Sequence, residues 1–551
     1  MNRLDYVVLI ATILAIPLYG LWRTRGRETL GHYLKGDQSI RWGTIGLSVL
    51  ATQAGPITFL SMPGQAYESG IGFVQNYFGQ PFALITVCAI FVPIFHRLKV
   101  YTAYEYLGQR FDQKTRLLGA FLFLVQRGLA AGITIYAPAI ILSALLGWRL
   151  NLTIWLAGGL VIAYTAFGGT KIVSITQRYQ ILIIFVGMAL AFGIAVHRLP
   201  DNLSFSNALS LAGKMGKLQA VDFSFDPDKR YTFWSGVFGG FFLALSYFGA
   251  DQSQVQRYLA GGSLTASRFG LLFNAVVKVP MQFLILLLGA MVFLFYQFEE
   301  PPMYFNQPAY ERAVALGHGS ELKQLQAQFE EVFARKRAAL ISASGDELLK
   351  LDAQTRSIRD QAKAILERAG ASPKSNDADY VFITFVLQHL PHGVVGLLIA
   401  VIFCATMSAT AATLNALGST TAVDFYRPLI RPNARDHHYV VATQLLTIAW
   451  GLVAIGVASF ANLVENLIQA GNILGSIFYG SILGLFLVAF FLRSVRGSAV
   501  FFAAVLAQIL VLVLFWTLSI SYLWYNLIGC AAVLLFSIIL QRTVFAEPLR
   551  V

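Results

Sequence analysis

Apolar runs about as long as a bilayer is thick recur along the whole chain, separated by short polar and basic stretches. The pattern predicts thirteen membrane spans: 4–22, 42–66, 72–96, 118–147, 152–168, 173–196, 233–252, 268–298, 393–424, 438–460, 464–492, 497–517 and 521–541. Residues 497–541 carry no charge, room for two spans joined by a turn near Ser519–Tyr522. The first run, Tyr6–Leu21, is bordered by WRTRGR and has no small-residue cleavage site, so it reads as an anchor. Two polar segments interrupt the series. One is the loop 197–232. The other, 299–379, is densely charged and holds two helical patterns, ELKQLQAQFEEVFARKRAALI and DELLKLDAQTRSIRDQAKAILERAG, with SASG between them. It reads as an external helical hairpin, either a cap on its own protein or a docking element for another.

Composition and charge fit this picture. The chain is 56% hydrophobic and 13% charged, against about a quarter charged in a soluble chain. Basic residues fill the loops 23–41 (Arg23, Arg25, Arg27, Lys35, Arg41), 97–117 (Arg97, Lys99, Arg110, Lys114, Arg116) and 425–437 (Arg427, Arg431, Arg435). Arg257, Arg268, Arg493, Arg496 and Arg542 fall on the same side. Basic loops face the cytoplasm, so the N-terminus is expected outside and the C-terminus inside. The net charge of +13 is mostly this loop bias and does not argue for nucleic-acid binding. Cys88, Cys404 and Cys530 all sit in apolar spans, which leaves no disulfide framework. No nucleotide-binding loop or zinc signature occurs, which argues against primary pumping and against enzyme function.

Span two breaks the pattern. ATQAGPITFLSMPG (51–64) places Gly55-Pro56 and Pro63-Gly64 in an apolar run with Gln53, Thr58 and Ser61. Pro56 removes a backbone donor, and an unpaired backbone group in hydrocarbon costs several kcal/mol. Such a break is either a proline kink or the wall of a polar site. Span seven is interrupted as well, with Gly236, Gly239, Gly240 and Gly249 before Asp251 and Gln252. It lies five spans after span two. An odd offset reverses direction, so repeats of five helices are inverted, and paired interruptions in such repeats point to a transport site. Span nine is crowded with Thr406, Ser408, Thr410, Thr413, Ser419, Thr420 and Thr421. Close helix packing explains most of them. Ala405 and Ser408, at i and i+3, also present a carbonyl and a hydroxyl on one face, a donor set for a hard cation.

GLSVLATQAGPITFLSMPGQAYESG (46–70), AYTAFGGTKIVSITQRYQ (163–180), SYFGADQSQVQRYLAG (246–261) and ATMSATAATLNALGSTTAVDFY (405–426) together resemble the sodium/solute symporter family. The resemblance spans nearly the whole chain except 299–379. It implies an all-α polytopic membrane protein with a LeuT-like 5+5 inverted repeat. Residues 1–41 would be a first helix and cytoplasmic loop, 42–196 the first repeat, and 233–298 with 380–492 the second. Residues 493–551 would supply two C-terminal helices and a tail. It implies a plasma-membrane transporter importing a small organic solute by alternating access, with sodium as coupling ion and no other cofactor.

Carried over by position, the resemblance assigns sodium to Ala51, Ala54, Ala405 and Ser408. Ala409 stands where relatives usually have a fifth, hydroxyl ligand, so proton coupling stays open. A second sodium site would need an acid and hydroxyls where this chain has Gln177, Ala411 and Ala412, so one sodium at most is expected. The solute would meet Gln53, Gly55 and Thr58 on the broken helix, Tyr247 as an inner gate, Lys278, and Gln469 or Asn472. Ile57 replaces the carboxylate of sugar-transporting relatives. Lys278 is read either as solute-facing or as snorkelling to the interface. Arg127 is read as a packing residue or a carboxylate partner, with packing favoured. Asp251 is read as a proton carrier or as a structural partner of Gln252, Arg257 or a helix end, with the structural reading favoured. Sugar, carboxylate, amino acid, nucleoside and polyol stay open as solutes. A different reading makes the chain a transporter-like sensor that uses the 299–379 hairpin as its interface.

Overall fold

A computed structural model describes residues 2–23, 29–35, 40–201, 203–342, 345–370, 377–460 and 467–545. The described chain is almost entirely helical. The helices used below are α1 (Arg3–Arg23), α2 (Trp42–Gln53), α3 (Pro56–Ser69), α4 (Ile71–Leu98), α5 (Gln113–Leu146), α6 (Leu150–His197), α7 (Gly240–Gly249), α8 (Gln252–Leu259) and α9 (Leu264–Phe298). They continue as α10 (Gly319–Ser342), α11 (Gly345–Arg368), α12 (Ala378–His389), α13 (Val394–Thr420), α14 (Asp436–Ala458), α15 (Leu467–Phe491), α16 (Gly497–Thr517) and α17 (Leu523–Thr543). Among the described residues nine helices are long and apolar enough to cross a bilayer, and the bent pair α2–α3 makes a tenth. The other three expected spans fall on α1 and on the shorter apolar stretches Leu150–Ala163 and Ser235–Gly249.

Span two is broken where Gly55-Pro56 predicts. α2 ends at Gln53, Ala54 leaves helical geometry, and Pro56 opens α3, whose axis is turned 58° from that of α2. Pro56 has no N–H, so it costs no backbone hydrogen bond in the first turn of a helix, where it sits. Span seven is broken too: α7 stops at Gly249, and Asp251 N-caps α8 by accepting the Ser253 amide at 2.9 Å. Spans five and six lie in one helical stretch, α6. At about 1.5 Å per residue its 48 residues run about 72 Å if straight, twice the hydrocarbon core and more. The expected junction at 169–172 carries side chains outside the described residues. So do Arg25, Arg27, residues 343–344 of the hairpin tip, and the start of span eleven at 464–466.

α13 is the hub of the fold. It is buried along its length and packs on α1, α5, α6 and α14. α1 docks at its start: Asp5 accepts the amides of Gly393 at 2.5 Å and Gly396 at 3.2 Å, capping α13 from another chain segment. The hairpin α10–α11 has a small core of its own, with Leu322, Phe329, Ile358 and Leu366 packed on Met303 and Tyr304.

Candidate functional site

The break in span two opens onto a cavity of about 180 Å³. Gln53, Gly55, Pro56 and Thr58 line it from the broken helix, Tyr247 from α7, and Ala409 and Thr413 from α13. The Ser408 hydroxyl lies 3.2 Å from the Ala51 carbonyl oxygen and 2.9 Å from that of Ala405. Three of the four residues assigned to the ion therefore meet between α2 and α13. The fourth, Ala54, is the buried turn residue of the break itself. Ala409 faces the same break: a Cβ built on Gly55 would lie 3.3 Å from its methyl.

Beside these atoms the fully buried Gln177 ties three helices together. Its Oε1 accepts the Ser48 hydroxyl at 2.5 Å, and its Nε2 donates to Thr52 Oγ1 at 3.0 Å and to the Ser408 carbonyl at 2.9 Å. An amide N–H thus points at oxygens that an added cation would need.

The solute residues separate into groups. Gln53 exchanges amide hydrogen bonds with Gln80, which also donates to Asn274 at 3.0 Å. Tyr247 accepts from Gln254 at 2.6 Å. Lys278 does not line the cavity. Its side-chain nitrogen is buried behind Tyr77, 5.5 Å from that ring, and has no hydrogen-bond partner among the described residues. Gln469 is likewise off the cavity wall. It donates to Gln65 at 3.2 Å and accepts from Arg230 at 2.5 Å, while Asn472, one helical turn on, lines the cavity instead. The two are i, i+3 neighbours on α15, so the choice between them rests on about 60° of helix rotation, which the span pattern alone does not fix.

The floor of the cavity holds what the sequence reading underrated. Arg127 of α5 donates through Nε to Asp251, and Tyr479 donates to the same Asp251 oxygen at 2.8 Å. The other Asp251 oxygen is taken by Ser253, whose hydroxyl lies at 2.6 Å. Asp251 therefore caps a helix end, as expected, but its charged partner is Arg127 and neither Gln252 nor Arg257. The Arg127 guanidinium lies 4.9 Å from the Tyr247 ring centroid, and its Nη2 is buried without a hydrogen-bond partner among the described residues. Apart from tyrosines, Arg127 is the one ionisable side chain among the described cavity-lining residues. A charge inside an apolar span is a candidate for pairing or function, which marks Arg127 and Asp251, but Arg178 and Lys278 lie in spans too and nothing in the sequence matches the first two to each other.

Two interrupted helices facing one midspan cavity are the architecture of inverted-repeat membrane transporters. The chain belongs to the sodium:solute symporter family, whose profile matches residues 33–313 and 362–507 and passes over most of the hairpin. It is 26% identical to the sodium-dependent multivitamin transporter of Oryctolagus cuniculus over 495 residues, 89% of this chain and 66% of that one. It is 27% identical to the Homo sapiens sodium/iodide cotransporter over 502 residues, 90% of this chain and 67% of that one. It is also 27% identical to sodium-coupled monocarboxylate transporter 1 of Mus musculus over 488 residues, 88% and 68% of the two chains. The aligned part thus spans about two thirds of these relatives' length. The solved structure of a Na+-coupled sialic acid symporter, substrate-bound and outward-open, superposes with a TM-score of 0.78 over 99% of both chains at 22% identity. The protein is an integral membrane protein with this fold.

Proposed function

We propose that the chain imports a small organic anion together with one sodium ion by alternating access. The observation that carries this reading is the convergence of Ala51, Ala405 and Ser408 at the break of span two, beside a cavity whose lone charged wall residue has an unfilled donor. Sodium is a hard cation that takes carbonyl and hydroxyl oxygens. The Ala51, Ala54 and Ala405 carbonyls and the Ser408 hydroxyl supply four. The amide of Gln177 and the methyls of Ala411 and Ala412 favour one ion over two. For the solute, Arg127 offers Nη2 while Asp251 is shielded behind Tyr479 and Ser253. Gln53, Gly55, Thr58 and Asn472 would shape the remainder. Iodide, monocarboxylate and sialic acid, in the names of three similar proteins, are all anions.

Sodium between α2 and α13 would fix the broken helix in the shape that completes the solute pocket. Each ligand then favours the state that binds the other, and the coupling is reciprocal. Inward release requires the floor of Tyr247, Arg127, Asp251 and Tyr479 to part. The bias of basic residues to one set of loops supports a floor that faces the cytoplasm, with the N-terminus and hairpin outside, in a protein of the plasma membrane.

A thermal-shift panel of carboxylates and neutral solutes, run in sodium and in choline, tests the reading. The expected result is stabilisation by a carboxylate in sodium only, lost in Ser408→Ala. Equal stabilisation in choline would remove sodium coupling, and stabilisation by neutral solutes alone would remove the anion assignment.

A further inference from the structure

A second cavity, of about 280 Å³, lies between the hairpin α10–α11 and the outer ends of α3 and α9. At about 30 Å³ per water it holds roughly nine waters, enough for a small organic molecule. Tyr67, Phe293, Tyr296, Phe329 and Phe333 give it aromatic walls. Four cations converge on it from three segments. Lys336 of α10 and Arg356 of α11 share Asp352, at 2.6 and 2.5 Å, and Arg359 donates to Asp377 at 2.6 Å. Lys217, from the 197–232 loop, is pushed down to about 7 by burial first and then by the charge of Arg356, with Lys336 adding to it. A fifth cation, Lys363, has no ion pair or hydrogen bond among the described residues. Glu68 and Asp360 complete the ionisable lining. One further wall donor, Tyr296 Oη, is buried without a hydrogen-bond partner among the described residues. Unsatisfied buried polar atoms and cations crowding a cavity are what a bound polar ligand would relieve.

We propose that this outer cavity is a second ligand site, for a small organic monoanion with a ring or similar apolar body. The carboxylate fits the end formed by Lys217, Lys336 and Arg356, and the body fits between Phe293, Tyr296 and Phe333. Glu68 and Asp360 weigh against a dianion. The site is linked to the inner one through α3. Pro56, Ile57 and Thr58 at one end of α3 line the inner cavity, and Tyr67 and Glu68 at the other line the outer one. Lys217 donates to the Tyr67 and Glu68 carbonyls, each at 2.7 Å, and Arg359 reaches the Tyr67 hydroxyl at 3.4 Å. An occupant bridging the hairpin to Tyr67 holds α3 in place.

The test is equilibrium dialysis of radiolabelled benzoate against the full-length protein in nanodiscs, in choline without sodium. One saturable benzoate per chain is expected, not displaced by benzyl alcohol. The double substitution Arg356→Gln with Lys363→Gln weakens it at least tenfold, and Arg356→Lys retains most of it. Arg356 is more than half exposed, so the fold tolerates these changes. Absence of saturable binding, equal competition by benzyl alcohol, or unchanged affinity in the double variant would overturn the proposal. The proposed inner site takes a carboxylate only with sodium, and Arg356 and Lys363 line only the outer cavity, so benzoate bound in choline and weakened by their substitution is assigned to the outer site whatever the inner one does.

Discussion

Ser408 places one hydroxyl against two carbonyls of different helices, so its removal takes away both an ion ligand and the link between α2 and α13. A lost ligand of this kind is worth about 1–2 kcal/mol, which converts to a roughly 5- to 30-fold rise in the sodium concentration for half-maximal uptake in Ser408→Ala. Ala409→Ser is expected to lower that concentration, because the new hydroxyl faces Gly55. A sodium titration of uptake in proteoliposomes checks both. Arg127 behaves differently. Arg127→Met leaves the Asp251 carboxylate buried without its cation, and breaking a buried pair costs about 3–5 kcal/mol. The expected outcome is a protein that unfolds early in a thermal melt. Adding Asp251→Asn restores the melt but not solute binding. The serine was legible in the sequence because it sits in a hydroxyl-rich helix at fixed spacing from Ala405. The Arg127–Asp251 pair was not, since 124 residues separate the partners and only the folded bundle sets them side by side.

α3 is held between two neighbours by glycines. A Cβ on Gly64 would lie 1.8 Å from the Ala378 carbonyl oxygen at the start of α12, and one on Gly289 of α9 would lie 2.2 Å from the Pro63 carbonyl oxygen. Neither backbone can yield without moving α3, and overpacking of this kind costs about 1–3 kcal/mol. Gly64→Ala is therefore expected to lower the melting temperature and slow uptake. Gly193→Ala, with nothing within 4 Å, changes neither. The outer end of α3 also carries a pH dependence through Lys217. Its folded value of about 7 lies below the ordinary 10.5, so the unfolded chain binds the extra proton between those values. Stability from this group thus rises as pH climbs from about 7 toward 10.5, and Lys217→Met flattens that rise in melts taken across the range. At this scale the sequence carried whatever was local: the Gly-Pro break, the interruption before Asp251, and the hairpin with its dense charge. The outer cavity was not legible, because its walls come from α3, α9, the 197–232 loop and the hairpin. The orientation of α15 was not legible either, since an apolar span buried on most sides shows little periodicity.

For the whole molecule the decisive quantity is the charge moved per cycle. The proposed ion ligands are neutral, and Arg127 and Asp251 cancel. One sodium and one monoanion therefore leave the site with the net charge it had when empty. Lys278 does not alter the count, because a fixed charge returns with the protein on each cycle. Equal charge in the loaded and empty limbs also spares either limb the cost of carrying an uncompensated ion through a low-dielectric interior. Uptake of a monoanion should then be electroneutral. A neutral solute carried with one sodium would instead bring one charge inward per cycle. Since about 2.3 kcal/mol attaches to each charge per 100 mV, a potassium-diffusion potential of that size, negative inside, would raise its accumulation about 50-fold. Proteoliposomes with valinomycin separate the cases. Accumulation driven by the sodium gradient and unmoved by the imposed potential supports one sodium with one monoanion. A steep dependence on potential would mean either a second sodium, against Gln177, or a neutral solute, against the unfilled donor of Arg127.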